Sequence, residues 1–188
     1  MADAGPAAAP VVRPRRASDT RAVRRVARRT WRATYARIAP AALVATVLRR
    51  GYAHEALLRT LLDVARDAFV VEAGGEVVGY ADVVLRTAAE AEVTRLYVRP
   101  DRQGAGLGRA LLLACLSAAR RRGAARVVLG VDRDNRRAVA WYRRQGFAPV
   151  GTDVFEAGGA SRPLVRLARD LADAPGPASS PGAPVSRR

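Results

Sequence analysis

The segment Gln103-Gly104-Ala105-Gly106-Leu107-Gly108 constrains this chain more than any other feature. It stands between an alternating apolar run that ends at Val98 and a helix-periodic apolar run that starts at Leu107. Strand, glycine loop and helix in that order demand an α/β architecture. Successive backbone N–H groups of such a loop converge on an anion, and the helix N-terminus adds about half a positive charge. Arg102 and Arg109 flank the loop and can pair with phosphate oxygens. The dinucleotide fingerprint G-x-G-x-x-G is not met. Its third glycine would fall on Arg109, and no acid follows about 20 residues on.

Composition removes several other chemistries. The chain has 188 residues, 33 basic against 17 acidic, for a net charge of +16. Every basic residue is Arg. Without Lys there is no Walker phosphate loop, no Schiff base and no Lys nucleophile. A single cysteine, Cys115, makes neither an intrachain disulfide nor a cysteine-based zinc site, and a single histidine, His54, excludes a His-rich metal centre. No metal is expected, and a reducing, cytoplasmic setting is. The longest nearly uncharged stretch, Ile38 to Leu48, contains Pro40 and is far short of the about 20 residues that span a bilayer. Met1 to Pro10 lacks the charged start and long apolar run of a secretory signal.

Both ends are rich in Pro, Ala, Gly and Ser. Residues 1–11 and 172–188 are expected to be disordered extensions of one domain at 12–171. Arg13, Arg15 and Arg16 near one end, with Arg187 and Arg188 at the other, are counted with the extensions, which leaves the remaining Arg residues on the folded surface. Val11 and Val12 start a short strand. Ser18 is the expected N-cap of a helix with Asp19 in its first turn. That helix buries Val23, Val26, Ala27, Thr30 and Trp31 and turns Arg21, Arg24, Arg25, Arg28 and Arg32 outward. Further helices are expected at Ala41 to Leu48 and at His54 to Arg66, the latter with Leu57, Leu58, Leu61 and Leu62 inward. Strands follow at Phe69 to Glu72 and Glu76 to Leu85, turned by Gly74-Gly75, and at Glu92 to Val98. Leu107 to Arg121 is helix, Arg126 to Val131 strand, and Asn135 to Gln145 a helix capped by Asn135 and stopped by Gly146. Strands at Phe147 to Phe155 and Pro163 to Leu167 complete an α/β sheet of mixed direction.

The loop has company. Asn135, Ala138, Tyr142, Gly146 and Phe147 follow at the spacing N-x-x-A-x-x-x-Y-x-x-x-G-F, and Gln103, Gly106 and Gly108 fit [QR]-x-x-G-x-[GA]. In these two motifs and in element order the chain resembles the GNAT superfamily of N-acetyltransferases, over about Val12 to Leu167. The resemblance implies a mixed, mostly antiparallel central sheet flanked by helices. It also implies acetyl transfer from acetyl-CoA to a primary amine, on a small molecule or a protein, by direct attack in a ternary complex. The residues implied to hold the cosubstrate are Arg102, Gln103, Gly104, Ala105, Gly106, Leu107, Gly108 and Arg109 at the pyrophosphate, with Asn135 and Tyr142 beyond. The backbone of Leu96, Tyr97 and Val98 would pair with the pantetheine arm and polarise the thioester carbonyl.

An alkyl ammonium of pKa about 10.4 must lose a proton before it attacks. The resemblance offers Glu92 as the base. Its parity with Thr94, Leu96 and Val98 turns it to one face of the strand. As a bare residue it also fits an ordinary surface acid. Glu90 and Asp82 are weaker candidates. Tyr142, two helical turns after Asn135, takes the family's role of proton donor to the leaving thiolate; the bland reading is a packed interface tyrosine. Cys115, four residues after Leu111, reads as a core thiol, and His54 as a surface residue. Trp31 and Tyr35, at i and i+4, either border the acceptor pocket or pack in the core. The positive charge also suits a basic nucleic-acid or ribosome-associated module that keeps this fold without catalysis.

Overall fold

The structure, a computed structural model, describes residues 9–171. Of the expected extensions, 1–11 and 172–188, residues 1–8 and 172–188 lie outside the described residues; Val11, counted with the first, is instead in a strand paired with Glu72. Seven strands form one sheet: β1 (Val11–Pro14), β2 (Arg66–Ala73), β3 (Glu76–Leu85), β4 (Glu90–Val98), β5 (Arg126–Asp132), β6 (Ala148–Ala157) and β7 (Ala160–Asp170), in the order β1-β2-β3-β4-β5-β7-β6. Every neighbouring pair is antiparallel except β4 and β5. Helices α1 (Thr20–Tyr35), α2 (Ala41–Thr46) and α3 (His54–Leu62) cover one face; α4 (Leu107–Arg121) and α5 (Arg136–Arg144) cover the other. The parallel β4-α4-β5 unit follows from the glycine loop, because a parallel neighbour needs a crossover long enough to hold a helix.

Two cores sandwich the sheet. Beneath α4 and α5, Leu111, Leu112, Cys115, Leu116 and Tyr142 pack on Val83, Ala91, Val93, Val127 and Leu129. Beneath α1–α3, Val23, Val26, Ala27, Trp31, Leu43, Tyr52 and Leu57 pack on Val70 and Tyr80. Burial pushes the Cys115 thiol pKa up, which suits the inert core thiol that its spacing predicts. His54 is exposed at the start of α3.

Several boundaries move. The cap of α1 is Asp19 and not Ser18, because a 3-10 turn at Ala17–Asp19 precedes the helix. The Asp19 carboxylate accepts from the Arg16 backbone N–H at 2.7 Å and from two nitrogens of Arg13 at 2.7 and 2.8 Å. α3 ends at Leu62 rather than at Arg66, since Asp63 is extended and its carboxylate takes the N–H of Ala65. Leu62 is therefore 80 % exposed rather than inward. Arg15, counted with the extension, is an interior residue: its backbone N–H joins Ala68 O, and its side chain lies under the sheet beside Asp82.

Candidate active site

The decisive geometry is in β4. β3 pairs Asp82 with Arg95 and Val83 with Val93, so Thr94 is an extra residue, a β-bulge. The bulge shifts the alternation by one. Ala91, Val93, Leu96 and Val98 pack toward α4, whereas Arg95 and Tyr97 face α1–α3 together with Glu92. The parity argument that aligned Glu92 with Leu96 and Val98 therefore fails: the bulge separates them onto opposite faces.

β4 and β5 are paired over only three rungs, Glu90↔Arg126, Ala91↔Val127 and Glu92↔Val128. Beyond Glu92 the pairing stops, while β5 stays paired with its other neighbour, β7, along its whole length from Arg126↔Asp170 to Asp132↔Leu164. The β4 main chain past Glu92 then faces an open fork rather than a strand.

At the end of β4, Gln103 Nε2 donates to Val98 O at 3.1 Å and ties the loop to the strand. Gly104 and Gly106 adopt φ of +90° and +76°, which side chains disfavour, and Gly106 caps α4 without any side-chain bond. Gly108 differs. It has no unusual φ, and a Cβ there would meet Trp141 at an ordinary 3.5 Å, so packing does not demand glycine. Residues 101–106 and Arg109 are exposed. The first-turn N–H groups of α4 therefore point out without a cap, which fits an oxyanion. Asn135 Oδ1 accepts from Ala138 N at 3.2 Å and caps α5, as its position predicts.

On the other face lies a cavity of about 540 Å³. Trp31 and Tyr35 from α1 line it, stacked at 4.5 Å. Tyr52, Glu92, Tyr97 and Asp132 line it too, and Phe155 to Gly158 close it from the β6–β7 turn. That turn rests on α2: a Cβ on Gly158 would meet Thr46 Oγ1 at 2.6 Å and Ala42 O at 2.9 Å. Trp31 Nε1 donates to the Tyr52 hydroxyl at 3.3 Å. Burial, with the Asp132 charge nearby, pushes the Tyr35 phenol up to about 12.

Glu92 receives Arg86 at 2.7 Å and has Arg166 at 3.8 Å. Asp132 is held by Arg162 at 2.8 and 3.0 Å. Glu90 does not line the cavity, and Asp82 is enclosed by arginines beneath it. Tyr142 stands apart from Glu92. It is in the α4–α5 core, 8 % exposed, with its ring against Trp141 and Phe147. Burial, then the neighbouring Cys115 and Tyr35, raises its phenol well above the ordinary value, so it keeps its proton at neutral pH. Sequence reasoning did not single out Tyr52, Arg66, Arg95, Asp132 or Arg162. Knowledge of the bulge would have brought Arg95 to the cavity face. Asp132, three residues before the Asn135 cap, marks the end of β5.

A sheet forked beside a glycine-opened helix defines a class, the fold of the N-acetyltransferases. The PaiA N-acetyltransferase of Thermoplasma acidophilum, solved in complex with coenzyme A, shares it with a TM-score of 0.76 over 87 % of this chain and 99 % of that one. At 22 % identity that likeness concerns the fold. The chain belongs to the acetyltransferase (GNAT) family, whose sequence profile matches residues 28–147. A mycothiol acetyltransferase of Saccharomonospora viridis is 52 % identical over 68 residues, 36 % of this chain and 22 % of the relative. An uncharacterized N-acetyltransferase of Mycobacterium bovis is 36 % identical over 98 residues, 52 % of this chain and 63 % of the relative. The chain thus spans less than two thirds of the length of either. No helix among the described residues is long and apolar enough to cross a membrane.

Proposed function

We propose that the protein is an acyltransferase that moves an acetyl group from acetyl-CoA to a primary amine, by direct attack in a ternary complex. The observation that carries this reading is the fork beyond Glu92↔Val128, with the exposed glycine loop and the start of α4 at the end of β4 on one side and an acid-bearing aromatic cavity on the other. The cradle of residues 103–108 fits a pyrophosphate, with Arg102 and Arg109 supplying charge. Gly108, a glycine that packing does not need, is explained by close approach of a ligand to the backbone. Backbone N–H groups at Leu96 to Val98 would polarise the carbonyl. Glu92 takes the amine proton, directly or through water, and Tyr142 donates to the leaving sulfur. Trp31 and Tyr35 bound the acceptor. The acceptor in the name of the mycothiol acetyltransferases is not carried over, because the shared stretch is a small part of those proteins. An array of amines, read by release of free CoA and by mass of the acetylated product, tests the reading. Release that is independent of any amine would contradict it.

A second reading, a basic nucleic-acid or ribosome-associated module, draws on α1. Its exposed face carries Arg21, Arg24, Arg25, Arg28, Arg29 and Arg32, and the helix contains no acid. Salt-sensitive RNA binding with no acetyl-CoA turnover would favour it.

A further inference from the structure

The cavity has an acidic end and a cationic floor, and the floor holds more positive than negative charge. Arg66, on β2, and Arg95, on β4, line the cavity. Arg15 lies behind them, 1 % exposed at its side chain. All three converge on one carboxylate, the fully buried Asp82, at 3.6 Å from Arg66, 2.8 Å from Arg95 and 3.6 Å from Arg15. Arg66 also reaches Asp63 at 3.3 Å and Thr94 Oγ1 at 3.0 Å. Arg95 donates to Gly51 O at 3.1 Å and lies over the Tyr52 ring, 5.1 Å from its centroid. Arg15 donates to Leu57 O at 2.9 Å and to Thr60 Oγ1. Arg50, exposed on the rim, adds a further cation.

Three guanidiniums thus share two carboxylates, and Asp63 is at the surface. Buried cations are costly without counter-charge. The acids at the other end do not redress the balance: Glu92 is engaged by Arg86 and Arg166, Asp132 by Arg162, and Glu156, which lines the cavity from β6, is exposed to solvent. The sheet register separates the two ends. Arg66 pairs with Val84, and Val84 with Glu92, so the cationic floor begins two strands from the candidate base, roughly 10 Å between Cα atoms.

We propose that the acceptor is a small amine that also carries an oxyanion, a carboxylate or a phosphate, seated on Arg66 and Arg95 while its amine lies toward Glu92. The inference rests on the acetyl-transfer reading of this cavity. A bound oxyanion supplies the negative charge that the floor lacks, and the guanidinium forks match its geometry. The neutral amide of the same acceptor leaves that charge unmet.

The test compares kcat/KM for 4-aminobutyrate, 3-aminopropyl phosphate and 4-aminobutyramide, with calorimetric binding of each in the presence of CoA. At least one oxyanion should exceed the amide by about tenfold or more in the wild-type protein, the scale of one charged hydrogen-bonded contact. Which oxyanion leads identifies the group. Arg66→Gln should bring the preference to near unity, because kcat/KM for the oxyanion falls further than kcat/KM for the amide. If that variant does not fold, the wild-type ratio alone decides. Equal or better use and binding of the amide would overturn the anion site and leave acetyl transfer standing. Turnover of none of the three, without a thermal shift on adding acetyl-CoA, would instead remove the transferase reading on which the site rests.

Discussion

Glu92 sits opposite Val128 in the last rung that joins β4 to β5. Two residues later the Thr94 bulge turns the strand's alternation over. One strand therefore presents an acid and an arginine to the cavity on one face and apolar residues to the α4 core on the other, while its main chain faces the fork.

Gly108→Ala separates ligand from fold. The new methyl meets Trp141 at an ordinary distance, and alanine favours helix by up to about 1 kcal/mol. Thermal stability should hold or rise, while the melting-temperature increase on adding acetyl-CoA shrinks. Gly106→Asp should abolish that increase, since it sets charge and bulk at an uncapped position of φ +76°. A full ligand-induced shift in both variants would move the cosubstrate elsewhere.

Tyr142→Phe keeps the ring against Trp141 and Phe147 and removes the hydroxyl. Turnover should fall by about 10² to 10⁴ if the phenol donates a proton, with acetyl-CoA affinity nearly unchanged. Because burial raises its pKa, Tyr142 should not produce an alkaline decline below pH 10. Undiminished turnover would make Tyr142 a packing residue only.

Glu92→Gln should slow turnover most near neutral pH and recover as pH rises, because more of the amine is already neutral. A pH–rate profile of unchanged height and shape would make Glu92 a partner of Arg86 and nothing more.

How much of this was legible in the sequence depends on whether the signal was local. The glycine loop, the Asn135 cap and the Val23–Trp31 stripe are set by residues close in the chain, and each stands where its pattern put it. The Thr94 bulge is not local. It is defined by what β3 places opposite it, and it is the reason Glu92 parts from Leu96. Arg15 was misread for the same reason: its burial comes from Asp82, 67 positions on. The cavity unites α1, α2 and the α2–α3 connection, β2, β4, β5, β7 and the β6–β7 turn, a set that no spacing in the chain announces.

Asp82→Asn should be severe. It strips the carboxylate shared by Arg15, Arg66 and Arg95 and leaves the Arg15 and Arg95 guanidiniums without a carboxylate, Arg66 keeping Asp63, at a cost of about 3–5 kcal/mol. Thermal denaturation should drop by roughly 10 °C. A loss of only a degree or two would show that water replaces the carboxylate.

The pairing of Arg13 with Asp19 gives the fold an acid-sensitive contact. The hydrogen bonds from Arg13 hold the Asp19 pKa below the ordinary carboxylate value. The stabilisation is therefore present above about pH 4 and is lost as pH falls through the folded-state pKa. Arg13→Gln should flatten the acid limb of melting temperature against pH; an identical limb would place the acid sensitivity elsewhere.

The most direct measurement is a crystal structure with coenzyme A bound. The pyrophosphate should lie within hydrogen-bond distance of the backbone N–H groups of residues 103–108, and the pantetheine arm should run along β4 past Glu92, inside the fork with β5. Coenzyme A bound away from the loop, or a fork closed by further β4–β5 pairing in the complex, would contradict the account.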